Sequence, residues 1–107
     1  AVTAAAEPLR AALEDRSPEV RVVAAEALGR YGGEDDLRPA LRTLGTLAPP
    51  DSNGVYLSIM ALNAIDALGD KARPLMGRLK AMPDVDPNSP QRTRTYVRRL
   101  IEWITRE

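Results

Sequence analysis

Apolar residues recur along this chain at helical spacing, and they do so most clearly just after residue 17. Val20, Val23, Ala24, Ala27 and Leu28 fall at i, i+3, i+4, i+7 and i+8, one face of an α-helix. Ser17 is suited to the N-cap and Pro18 to the first helical position. Gly29, followed by Gly32 and Gly33, supplies the residue type that ends helices. The spacing therefore predicts a helix over about 18–31. Its alanines make it narrow, so a neighbouring helix can pack close along it.

The pattern then repeats. Pro8 to Leu13, Pro39 to Leu44 and Pro74 to Leu79 each open on proline and carry leucine five residues later. Ala24 to Gly29 and Ala64 to Gly69 match closely, and Leu100 stays in register with Leu28 and Leu68. Together these predict six helices in three antiparallel pairs: 3–14 with 18–31, 34–47 with 54–69, and 71–82 with 90–106. Turn residues fill the intervals at 15–17, 49–53 and 83–89. Pro39 falls inside its helix, where a kink is expected. The segment from Val55 to Leu68 is apolar on nearly every side, as a helix surrounded by others would be. Three stacked hairpins can bury such a helix where one cannot. The expected fold is all-α, a right-handed α-α superhelix of three hairpins. It forms one domain over 1–107, with repeats of about 1–32, 33–69 and 70–107.

Composition narrows the function more than the fold. Acids and bases balance at 15 each, so no global charge draws the chain to nucleic acid or anionic lipid. The balance is uneven along the chain: residues 1–53 hold nine acids and six bases, residues 54–107 six acids and nine bases. Cysteine and histidine are both missing, which removes thiolate chemistry and the commonest general base and metal ligand. No cofactor or metal is expected, and no apolar run has membrane-spanning length. The first residue is Ala1, and the chain is read as part of a longer protein.

Leu9, Leu13, Asp15, Pro18, Val20-Arg21, Ala24-Ala25, Ala27-Leu28-Gly29, Gly33 and Pro39 together resemble the HEAT repeats. That resemblance implies stacked helical hairpins, with Asp15 and Arg21 in the structural roles of an aspartate and an arginine that bond between neighbouring repeats. Leu57 stands where the second repeat would need the arginine after Asp51, and the third repeat offers Asp86 and Arg92. Residues 51–107, through Asn53 to Tyr56, Ala61 to Gly69, Ala72 to Leu75 and Tyr96 to Arg99, resemble the C-terminal helical region of bacterial sulfatases of the arylsulfatase or heparan N-sulfatase type. This likeness implies a non-catalytic accessory domain of a sulfuric ester hydrolase, periplasmic or extracellular, whose partner is its own catalytic domain. The sulfatase nucleophile motif is not in the sequence. Two other readings stand beside it: a stand-alone HEAT-repeat interaction module or regulator, and a relative of the HEAT-like phycobilin lyases. The chain by itself is expected to have no catalytic residues and no enzyme activity.

Several groups carry the residue types of a chemical or binding site. Asp84, Asp86 and Asn88 resemble the start of a calcium loop, but Ser89 and Thr95 replace its glycine and glutamate, so a polar turn is expected. Glu34, Asp35 and Asp36 suit the first turn of a helix, where acids complement the helix dipole. Arg92, Arg94, Arg98, Arg99 and Arg106 make the last helix basic, either as a solvated face or as a surface for an acidic partner; nucleic acid fits less well with so few aromatics. Trp103 either covers the end of the core or marks a docking surface. In a hairpin stack the second helices line one face, which places Val22, Glu26, Leu62, Asn63, Asp66, Arg94 and Arg98 on a candidate partner strip, with Trp103 beside it.

Overall fold

The computed structural model describes residues 2–84, 88 and 90–106, with side chains from residue 6 onward. Among the described residues all regular structure is helical. The order is α1 (Val2–Ala12), α2 (Pro18–Tyr31), α3 (Glu34–Leu47), a single turn α4 (Pro50–Asn53), α5 (Val55–Leu68), a 3-10 segment (Gly69–Leu75) that runs into α6 (Met76–Ala81), and α7 (Gln91–Ile104). Taking the 3-10 segment and α6 as one rod, and α4 as part of a connection, these are the six helical elements expected.

Local chemistry explains the ends. Ser17 Oγ accepts the Val20 N–H at 3.3 Å and Pro18 begins α2. The Asp15 carboxylate accepts the Ser17 N–H at 2.9 Å and folds the preceding turn. α2 runs past Gly29 to Tyr31 and is capped by Gly32, so Gly29 is a helix-interior residue. Lys71, from the 3-10 segment, donates to the carbonyl oxygens of Gly29 and Arg30 at 3.1 and 3.0 Å. A cation thereby meets the unpaired carbonyls of a helix C-terminus. Asn53 does the same for the end of α3, donating to the carbonyls of Thr46 and Pro49 at 2.9 and 3.0 Å. α5 ends at Gly69, whose φ of 59° and ψ of −131° suit glycine alone. α3 is helical through Pro39.

The packing forms two rows. α2 packs against α1, α3 and α5, and α5 packs against α2, α3 and α7. The 3-10 segment meets α3, and α6 meets α7. So α2, α5 and α7 lie side by side, with α1, α3 and the α6 rod behind them. The Cα dimensions, 45 × 33 × 15 Å, fit this. Two helix layers ~10 Å apart, each with a Cα radius of ~2.3 Å, give that smallest dimension. Leu28, Leu44, Leu62, Ile65, Leu79, Val97 and Ile101 are fully buried between the rows.

The buried arc of α2 differs from the one its spacing predicts. Val22, Ala24, Ala25, Leu28 and Gly29 are buried, while Val20 and Val23 are 40% and 63% exposed. α2 carries two apolar arcs, and periodicity alone does not rank them. Gly29 decides between them. A Cβ built there would lie 2.8 Å from Leu68 Cδ2, so the arc holding Gly29 allows the closest approach of α5.

Candidate functional site

Where the four aromatic rings lie is the first clue to a site. The chain has three tyrosines, one tryptophan and no phenylalanine. None is in the core: Tyr31 is 64% exposed, Tyr56 86%, Tyr96 53% and Trp103 54%. Tyr31 belongs to α2, Tyr56 to α5, and Tyr96 and Trp103 to α7, all in one row.

Helical geometry places them on the outward side of that row. Each residue turns a helix by about 100°. In α2 the buried arc around Ala25 leaves Val20, Val23, Ala27 and Tyr31 pointing away from the core. In α5 the arc opposite Ile65 holds Tyr56, Met60 and Asn63. In α7, Arg92, Tyr96, Arg99 and Trp103 stand at i, i+4, i+7 and i+11, well away from buried Val97 and Ile101. Three grooves lie at the surface, the first of them on this face. One of about 390 Å³ lies between α2 and α5, lined by Val22, Val23, Glu26, Ala27, Arg30, Tyr31, Met60 and Asn63. A second, of about 300 Å³, lies between α1 and α2 and is apolar apart from Glu19. A third, of about 760 Å³, lies where the ends of α5 and α7 meet the α6 rod, and includes Asp66, Lys80 and Arg106. Arg30 sits over the Tyr31 ring at 5.3 Å and Arg106 over the Trp103 ring at 3.4 Å, so cations flank two of the four aromatics.

The expected strip divides. Val22 and Leu62 are 3% and 0% exposed and belong to the core, a correction that follows from the rotation of α2 and from α5 being enclosed on three sides. Glu26 and Asn63 line the α2–α5 groove, and Glu26 accepts from Arg30 at 3.4 Å. Asp66 lies in the groove at the end of α7. Arg94 and Arg98 both bind Asp84, at 3.3 and 2.9 Å, and hold the segment after α6 against α7. Trp103 is half exposed, with Arg106 over its ring.

The expected Asp15–Arg21 bond between repeats takes another form. Arg21 donates to the main-chain oxygen of Asp15 at 3.2 Å, inside one hairpin turn, while the Asp15 carboxylate accepts the Ser17 N–H. The ion pair that joins distant helices is Arg10–Asp36. Arg10 Nε and Nη2 donate to the two carboxylate oxygens at 2.6 and 3.1 Å, clamping α1 to the start of α3. The bond to Arg10 holds the Asp36 carboxyl below its ordinary range, against the opposing effect of burial. Arg98, and then Arg94, do the same for Asp84. Neither pair follows from sequence spacing, since Arg10 and Asp36 are 26 residues apart. The one available signal was an extra acid in the first turn of α3.

Of the calcium-loop candidate, Asp84 is committed to arginines, while Asp86 and Ser89 lie outside the described residues. Among the described residues no group of three or more acidic side chains is placed to hold a metal, and no helix is long and apolar enough to cross a membrane. Comparison with known proteins found no matching family model, curated protein or solved structure.

Proposed function

We propose that this chain is a non-catalytic interaction module that holds a protein partner along the outward face of α2, α5 and α7. One observation carries the reading: every aromatic ring of the chain stands on that row and is exposed. Aromatic side chains bury the most apolar area when covered, and Tyr and Trp concentrate at protein interfaces for that reason. A chain that builds its core from Leu, Ile, Val and Ala, and keeps its rings outside, supplies rigid anchors for a second molecule. The grooves beside α2 add apolar relief between them.

In its fuller form the proposal makes the fold a right-handed HEAT-type superhelix of three hairpins. The two-row packing and the pairing of α1 with α2, α3 with α5, and α6 with α7 support that form. The partner is then the catalytic domain of a sulfatase-type hydrolase, on the likeness of residues 51–107. The described carboxylates with lowered pKa support a scaffold, because both are spent on ion pairs that join helical elements.

Site-specific photo-crosslinking in the native host tests the proposal. A photoreactive residue replaces Tyr31 or Tyr56, with exposed Arg38 on the opposite row as control. The expected result is crosslinking from 31 and 56 to the same protein segment and none from 38. Equal crosslinking from all three, or none from 31 and 56, would overturn it. A crosslink into an upstream hydrolase domain would establish the sulfatase form.

A further inference from the structure

The five arginines at the C-terminal end of the chain do different work. Arg94 and Arg98 are bound by Asp84, and Arg106 lies on Trp103 and donates to its main-chain oxygen. Arg92 and Arg99 are exposed and form no ion pair among the described residues. They alternate with Tyr96 and Trp103 along one line of α7 that spans about 60° of the helix surface. The result is a cationic and aromatic stripe whose two arginines have no ion-pair partner among the described residues.

We propose that this stripe binds an extended acidic peptide segment, with carboxylates on Arg92 and Arg99 and apolar side chains on Tyr96 between them and on Trp103 beyond. The inference rests on the partner-binding reading above and gives the chemistry of the partner at the α7 end. Guanidinium groups present a planar fork that matches a carboxylate in bidentate fashion. Seven helical residues separate Arg92 from Arg99, a rise of about 10.5 Å. In a polyproline-II chain, with three residues per turn and a rise of about 3.1 Å each, two residues three apart lie on the same side, about 9.3 Å from one another. Acidic residues at every third position of such a segment therefore face both arginines, and the residues between them pass beside Tyr96.

The observations favour a peptide over the other anionic partners. Two arginines on a chain of zero net charge displace few counterions, so single-stranded nucleic acid would gain little from them. A membrane surface needs an apolar face to insert, and the apolar stripe of α7, Val97 and Ile101, is buried at 0% and 1% exposure.

Trp103 is the only tryptophan, so its fluorescence reports the site directly. The 107-residue chain is titrated with a synthetic octapeptide carrying glutamate at every third position and leucine and serine between. A saturable change in emission is expected, weakened by added salt and absent with the glutamine version of the peptide. The double variant Arg92→Gln/Arg99→Gln, checked for unchanged helicity, should bind about tenfold more weakly or worse. Four results would overturn the proposal: no saturable change; equal response to the glutamine peptide or in the double variant; tighter binding to oligo-dT or to phosphatidylserine vesicles; or an emission change with chain concentration alone, which marks a second copy as the occupant. If the peptide fails while crosslinks from positions 31 and 56 persist, only the acidic-segment inference falls. If both fail, the binding face falls with it.

Discussion

Leu62 illustrates how much one side chain decides. A groove-lining leucine would tolerate a charge, whereas one with no exposure cannot. Leu62→Asp is expected to unfold the chain, because an unpaired carboxylate in this core has no partner; a folded variant by circular dichroism would return Leu62 to the surface. Ser58 works in the opposite direction. Its hydroxyl is fully buried and has no hydrogen-bond partner among the described residues. Ser58→Ala should therefore raise stability, by up to about 1 kcal/mol, since an unsatisfied buried hydroxyl is removed from a helix and alanine is the best helix former. A drop in the denaturation midpoint would show that the hydroxyl is satisfied.

At the scale of elements, the contact of α2 with α5 is set by Gly29 against Leu68. Gly29→Val gains only a few tenths of a kcal/mol of helix propensity and drives its side chain into a leucine that is only 6% exposed. Overpacking of that kind costs about 1–3 kcal/mol, and the denaturant midpoint should fall accordingly. An unchanged midpoint would mean that the two helices can separate freely. Helix positions were largely legible in the sequence, because Ser17-Pro18 and the repeated leucines act locally. Which arc of α2 faces inward was not, since Val20-Val23-Ala27 and Val22-Ala25-Leu28 are both apolar at near-helical spacing and only the neighbour chooses. For the same reason the expected strip lost Val22 and Leu62 but kept Glu26, Asn63 and Trp103 at the surface. The Arg10–Asp36 clamp depends on how α1 meets α3, a contact between residues 26 apart for which the sequence has no local sign.

Over the whole molecule, two carboxylates fasten the ends: Asp36 ties α1 to α3, and Asp84 ties the α6 connection to α7. Both have folded-state pKa values below the ordinary value of 3.8. Stability from a depressed carboxylate is present above the unfolded pKa and is lost as pH falls through the folded one. Titration of these groups should thus leave the thermal midpoint unchanged with pH near neutrality and lower it below about pH 4. Asp36→Asn should lower it at neutral pH and flatten the acid dependence; an acid profile identical to wild type would discard the clamp. The arrangement as a whole is an aliphatic core between two rows of helices, with all of the aromatic surface given to one row. Covalent footprinting of Tyr31, Tyr56, Tyr96 and Trp103 by hydroxyl radicals probes that arrangement most directly, comparing the 107-residue chain with the same residues in the native assembly. All four rings should react readily in the free chain and become protected together in the assembly. Rings that are already unreactive in the free chain, or equally reactive in both settings, would contradict a binding face on α2, α5 and α7.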